Sequence, residues 1–453
     1  MSQKPALPKG TRDFLPQQVA KRKYIFETIE SVFKTFGYLP IETPAMELLS
    51  TLTGKYGEEG DRLLFKILNN GDFLADADKE AIDKLDSNQL IPSIARRGLR
   101  YDLTVPFARF VVMHQNEIQF PFKRYQIQPV WRADRPQKGR YQEFYQCDVD
   151  VVGSDSLMYE AELIQIYSEV FNKLGLSIKI LINNRKILFG LAEAAGVADQ
   201  FMDMTIAIDK LDKIGADGVA SEMLNRNIPD VSVKKIMQWI AVRDLSTLKN
   251  ALASSEEGMK GIEETERVLK FIGGGVPELC FDITLARGLS YYTGCIFEVK
   301  ADTDAYPGFS MGSIGGGGRY DNLTGVFGLK GVSGVGVSFG AERIYDALEE
   351  LALFPADVTG DIEVLLAALD EESHHWAFSL LLSLRQNGIA SDLYPEPAKL
   401  KKQMSYANAR NVPFVAIIGE EERRQEVVSL KNMFTGEQQN ISYMALLELL
   451  KKK

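Results

Sequence analysis

Arginines are the residues whose placement in this 453-residue chain speaks most directly of chemistry. Between residues 123 and 140 six basic groups (Lys123, Arg124, Arg132, Arg135, Lys138 and Arg140) stand against one acid, Asp134, a local balance of +5. Guanidinium groups on adjacent strands can grip phosphate oxygens through paired hydrogen bonds. Phe144, on the return strand, offers a flat apolar surface to a purine. The competing reading of the same residues is a solvated charged loop. A further arginine, Arg343, directly follows the run Val335 to Glu342. There a strand hands over to a helix whose N-terminal N–H groups favour phosphate. Two glycine tracts do not belong to this chemistry. Gly315 to Gly318 has no Lys-Ser/Thr after it, so it is not a P-loop. Gly334-Val335-Gly336 has Phe339 where a dinucleotide fingerprint needs its third glycine. Both tracts fit close backbone approach in an antiparallel sheet.

These side chains need elements to hold them. Residues 16 to 36 carry Ile25, Ile29, Val32, Phe33 and Phe36 at helical spacing, and Gly37 ends the run before an extended Tyr38 to Pro44. A polar stretch over about 69 to 90 reads as a loop or a small helical insertion. From Lys123 to Gly153 two strand-like runs flank a loop of Arg, Pro, Lys and Gly, the signature of a long antiparallel hairpin. A helix over 157–174 and a strand over 176–183 follow. Residues 195–270 are helix-forming and short of aromatics, and strands return at about 278 to 300. This pattern describes a helical module inserted into a mostly antiparallel core; the alternative is that these helices belong to the core. Beyond Phe354 to Gly360, strands and helices alternate in an α/β unit of about 90 residues.

Composition sets outer limits. With 45% apolar and 25% charged residues the chain is neither disordered nor collagen-like. Lys plus Arg is 52 and Asp plus Glu is 62, a net charge of −10 that disfavours indiscriminate nucleic-acid binding but leaves room for a local basic groove. Three cysteines and three histidines offer no zinc cluster at the usual spacings. Neither an apolar signal core nor a run of about 18 apolar residues occurs, so a cytoplasmic chain without membrane partners is expected.

Together these segments resemble the class II aminoacyl-tRNA synthetases. The hairpin from Arg132 to Asp148 is similar to their second signature motif, Gly334 to Arg343 to the third, and Gly37 to Pro44 to the proline-bearing first. Leu285 to Gly294, with Gly10-Thr11-Arg12-Asp13 and Arg100 to Pro106, resembles the histidyl-tRNA synthetase family in particular, and the likeness covers nearly the whole chain. It implies an α+β fold in which an antiparallel catalytic sheet (1–194 and 271–352) carries a helical insertion (195–270). An α/β anticodon-binding domain (361–453) follows, and the first motif implies a homodimer.

The resemblance also implies roles. The activity would be that of a ligase: ATP and L-histidine form histidyl-adenylate and pyrophosphate, and histidine then passes to the 3′ end of tRNA(His). Arg132 would touch the α-phosphate, Arg140 and Arg343 the outer phosphates, and Phe144 with Arg343 would sandwich adenine beside Asp134. Arg287 would bridge the substrate carboxylate and the α-phosphate, making Arg132 and Arg287 the catalytic pair. Asp102, Thr104 and Gln146 would hold the α-ammonium group; Asp150 and Tyr292 would meet the imidazole nitrogens, with Tyr291 lining the pocket. Mg²⁺ would ride mainly on the ATP phosphates. Arg135, Gln137 and Lys138 would approach the tRNA acceptor end. Lys399, Lys401 and Lys402 lie in a segment with four basic groups and no acid, and would meet tRNA phosphates. Ser290 and Gln142 depart from residues common in the family and weaken a supporting ion pair at most. Two rivals remain: a regulatory paralogue that senses histidine on the same fold, and a synthetase for another amino acid such as proline, threonine or glycine.

Overall fold

The computed structural model describes residues 4–55, 57–137, 139–286, 291–356, 358 and 362–451, without the side chains of 57–59. Lys138, part of the connector 354–360, and the segment 287–290 with Arg287 and Ser290 lie outside the described residues. The chain divides into two compact units, 1–354 and 355–453.

In the first unit the strands are β1 (Leu39–Pro40), β2 (Met46–Leu48), β3 (Lys66–Ile67), β4 (Arg97–Leu99), β5 (Phe122–Trp131), β6 (Glu143–Val152), β7 (Ile178–Asn184), β8 (Leu279–Phe281), β9 (Cys295–Ala301), β10 (Gly315–Tyr320) and β11 (Gly334–Gly340). Eight of them form one sheet in the order β1-β5-β6-β11-β10-β9-β7-β8, antiparallel throughout except at its two edges. β2, β4 and β3 make a small separate sheet. β5 and β6 pair from Phe122–Val152 to Trp131–Glu143, so the expected hairpin is present with its connecting loop at 132–142.

Strand alternation gives the sheet two different faces. Cys147, Val149 and Val151, Ile178, Ile180 and Ile182, and Val335, Val337 and Phe339 join the main core. That core is closed by the helices Pro16–Thr35, Met158–Leu174 and Ala341–Glu350. The first helix starts on a proline, which suits the first turn, and buries Ile25, Ile29, Val32 and Phe33 three to four residues apart. The other face of the same strands carries Gln146, Asp148 and Asp150, and it is there that a site can be built.

Helices run from Arg185–Ala195 to Glu256–Ile272, beginning ten residues before the change in composition at 195. The first is capped by the Asn184 side chain, which accepts from Lys186 N–H, and so forms directly off the end of β7. Val268 and Ile272 of the last one pack into the sheet core, whereas the helices between surround a second core around Leu191, Met204, Met223 and Ile236.

The second unit is a mixed sheet with β12 (Val364–Ala368), β13 (Ser391–Leu393), β14 (Phe414–Ile418), β15 (Val427–Asn432) and β16 (Gln438–Ser442) in the order β13-β12-β14-β15-β16. The first three pair in parallel, as an alternation of strands and helices requires, and the last two add antiparallel. Its helices Glu371–Gln386 and Leu400–Ala409 lie where the sequence places them.

Candidate active site

The polar face of the sheet opens into a cavity of about 890 Å³. Arg132, Asp134, Arg140, Phe144, Gln146 and Arg343 all line it, brought there by the hairpin loop, by β6 and by the helix after β11. Arg132 is held by its backbone N–H on the Gln142 carbonyl (3.0 Å) and by Nε on the Tyr101 carbonyl (3.1 Å). Its guanidinium lies 4.2 Å from the Tyr101 ring centre and 5.2 Å from that of Phe144. Arg343, three residues into its helix, donates from Nε to the Gly139 carbonyl (3.0 Å) and from Nη1 to the Ser313 carbonyl (2.6 Å). Both bonds tie the guanidinium to backbone carbonyls and fix its plane. Arg140 is exposed at the rim.

Two further arginines, to which the sequence alone assigns no role, fix this arrangement. Arg12 and Arg22 both pair with Glu342, the residue before Arg343, at 2.6 and 2.5 Å. The Arg12 guanidinium also covers the Tyr141 ring at 3.3 Å, so one cluster ties the hairpin loop to the start of the last helix. The signal was in the sequence, since Arg12 belongs to the Gly10 to Asp13 segment. Gln142 does not lose its structural role with its charge: its side-chain amide donates to the Asp134 carbonyl (3.0 Å), and its backbone N–H to that of Gly10 (2.9 Å).

Beneath the cavity lies a buried polar layer. Asp102, 1% exposed, accepts from Val105 N–H (3.1 Å) and from the Tyr291 hydroxyl (3.4 Å). Thr104, half-buried, opens the helix Thr104–Met113 beside it. Asp150 accepts from the Tyr320 hydroxyl at 2.7 Å, and its Oδ2 lies 2.7 Å from Arg124 Nη2. Tyr291 meets Tyr292 edge-on at 5.0 Å. Desolvation and the carboxylates of Asp150, Asp148 and Asp102 push the Tyr292 hydroxyl up, so it stays a donor at all ordinary pH. Two glycines make the room: a Cβ at Gly336 would sit 1.8 Å from Asp150 Oδ1, and one at Gly318 2.9 Å from the Tyr292 ring. The Gly315–Gly318 tract is strand β10, packed by backbone approach.

This layer holds side-chain atoms with no hydrogen-bond partner, Gln146 Oε1, Asp148 Oδ1 and Arg124 Nε and Nη1, whereas Asp150 Oδ2 and Arg124 Nη2 have only each other. Groups buried in that state are expensive unless a ligand completes them. Gln146, Asp148 and Asp150 succeed one another along one face of β6, so the floor is a row of acceptors. The helical segment supplies another wall through Arg185, Met202, Thr205 and Ile206. Arg185, 9% exposed, lies over the Phe201 ring at 5.0 Å. Nothing in its sequence context distinguished it.

Of the remaining expected residues, Arg135 and Gln137 are exposed in the hairpin loop. Lys399, Lys401 and Lys402 are exposed in the second unit, whereas Arg410 at the end of the same segment is engaged by Asp392 at 2.9 Å. Among the described helices none is long and apolar enough to cross a membrane.

A predominantly antiparallel sheet flanked by helices, with arginines entering one cavity from a β-hairpin loop and from a strand-to-helix junction, is the catalytic fold of a class II aminoacyl-tRNA synthetase. A sequence profile described as Histidyl-tRNA synthetase matches residues 10–344, and one described as Anticodon binding domain matches 363–453. The chain belongs to the histidyl-tRNA synthetase family. It is 58% identical to a histidine–tRNA ligase of Porphyromonas gingivalis over 96% of this chain and 97% of that one, and 55% identical to one of Christiangramia forsetii over the full length of both. The crystal structure of histidyl-tRNA synthetase from Nostoc sp. PCC 7120 superposes with a TM-score of 0.82 at 30% identity, covering 99% of each chain.

Proposed function

We propose that this chain is a histidine–tRNA ligase of the cytoplasm that forms histidyl-adenylate and then charges tRNA(His). The observation that carries the reading is the juxtaposition of two surfaces in one site: a cavity lined by Arg132, Arg140 and Arg343, and a floor of buried acceptors along β6. The first suits a triphosphate, and the second suits a ligand that brings N–H donors at two ends, as histidine does.

Adenine stacks against Phe144 with the Arg343 guanidinium on its other side, and Asp134 accepts from its amino group. Arg140 and Arg343 neutralise the outer phosphates. Asp102, Thr104 and Gln146 hold the α-ammonium group; Asp150 and Tyr292 address the imidazole, with Tyr291 shaping the pocket around Asp102. Arg132 and Arg287 together neutralise carboxylate and α-phosphate, which is how two anions are brought to react. The carboxylate oxygen attacks the α-phosphorus, the bond to the β-phosphate oxygen breaks, and pyrophosphate leaves with that electron pair. Mg²⁺ would enter as part of the MgATP substrate, held mainly by its phosphates. Buried partners for both imidazole nitrogens reject analogues lacking them by roughly 10⁴–10⁵, without an editing domain.

Arg135, Gln137 and Lys138 then meet the acceptor end, and Lys399, Lys401 and Lys402 the anticodon arm. A homodimer through the first motif accounts for exposed Leu39 on edge strand β1 and for exposed Met46 and Leu48 on β2. A solved chain described as an ATP phosphoribosyltransferase regulatory subunit/histidyl-tRNA synthetase of Bacillus halodurans shares the fold at 20% identity. The complete arginine set and the C-terminal unit favour the ligase over a regulatory role. Exchange of pyrophosphate into ATP, assayed with each amino acid in turn and without tRNA, tests the proposal: exchange with histidine alone is expected, and exchange with another amino acid instead would refute it.

A further inference from the structure

Asp148 stands midway between Gln146 and Asp150 on β6, and the roles above leave it unused. Its cross-strand neighbours are Gln126 on β5 and Ser338 on β11. It is 2% exposed; the Ser338 hydroxyl bonds its carboxyl group, and Oδ1 has no partner. The groups that face it come from every neighbouring element. Asp150 shares its strand, Asp102 precedes the helix Thr104–Met113, and Tyr167 and Tyr292 add hydroxyls that burial keeps neutral. Arg124 is already ion-paired with Asp150, and Arg100 is committed to the Pro129 and Thr43 carbonyls and to Gln128. Among the described residues, three carboxylates therefore share a buried pocket with one guanidinium ion-paired inside it. Burial raises the Asp148 carboxyl most, Arg124 opposes that, and Asp150 adds to it, leaving the group pushed up to about 7.

We infer that Asp148 is a proton-linked positioning residue for the amino-acid substrate: it carries a proton in the ligand-free pocket, gives that proton to solvent when the substrate's cationic nitrogen arrives, and accepts a hydrogen bond from the substrate at Oδ1. The step balances as one proton released for one cation bound. It keeps the pocket from holding three carboxylates before the ligand comes, and it adds an acceptor that a substrate without a nitrogen donor cannot satisfy. The inference rests on the reading that an amino acid occupies this floor.

The test is calorimetric binding of L-histidine to the full-length chain and to Asp148→Asn between pH 5.5 and 8.5, in buffer pairs of different ionisation enthalpy. Histidine's own imidazole titrates near about 6.5 and contributes equally to both proteins. Wild type is expected to release up to one more proton than the variant below pH 7. Its affinity advantage over the variant should grow by up to about tenfold per pH unit through that window and then level off. Equal proton counts and parallel affinity profiles would overturn the inference. A second ligand, L-1,2,4-triazolyl-3-alanine, whose ring does not gain a proton in this range, keeps the test decisive should the variant not fold. Its binding to wild type should still release a proton, and none released would count against Asp148. If L-histidine binds neither protein at any pH, the amino-acid pocket itself is refuted.

Discussion

At the scale of single residues, the site depends on guanidinium groups whose positions are over-determined. Arg343 is fixed by two backbone carbonyls and by the Glu342 cluster beneath it. Lysine could carry the charge but not the two bonds and the stack, so Arg343→Lys should cost on the order of 10²–10³ in pyrophosphate-exchange rate. Arg287→His should abolish most exchange, and robust exchange by that variant would remove Arg287 from the catalytic pair. Glu342→Gln would leave Arg12 and Arg22 uncompensated; breaking a buried pair in this way costs about 3–5 kcal/mol, measurable by urea unfolding. The raised Asp148 carboxyl has a consequence for stability as well. Its folded value lies above the unfolded one, so its contribution is complete below about pH 4 and is lost as pH rises through about 7. The ligand-free chain should therefore lose stability across that window, and Asp148→Asn should flatten the loss.

At the scale of elements, most of the architecture was legible because local signals agree with the tertiary roles. The hairpin, the proline-started first helix and the alternating strands of the second unit each carry the period their packing demands. What escaped was non-local. Alternation along Gln146, Asp148 and Asp150 was visible, but the function of Asp148 depends on Arg124 across the sheet and on Asp102 from a different segment. The helical wall formed by Arg185, Met202 and Ile206 was equally hidden, because composition marks a helix without saying what it faces. The glycines of β10 and β11 were legible as close approach but not as the space for particular side chains. Gly336→Ala is the direct check: its methyl group would displace Asp150 by more than a bond length. Misplacement of about that size costs up to roughly 10² in kcat/KM for histidine. The KM for ATP should stay unchanged; equal losses for both substrates would mean that β11 had been disrupted as a whole.

At the scale of the molecule, a net charge of −10 coexists with an arginine-lined cavity in the first unit and exposed lysines in the second. On the proposed function, acidity elsewhere would confine nucleic-acid affinity to these surfaces and let charged tRNA leave. The two units should accordingly separate two functions. A chain ending near residue 355 is expected to retain adenylate formation and to charge tRNA poorly, and undiminished charging would remove the second unit from tRNA recognition. One measurement reaches the central claim, that a single cavity joins a triphosphate to histidine. It is ATP–pyrophosphate exchange by the full chain without tRNA, run in parallel with histidine and with the other amino acids. The account predicts exchange that requires histidine and is not supported by proline, threonine or glycine; exchange driven by one of those, or none with histidine, would contradict it.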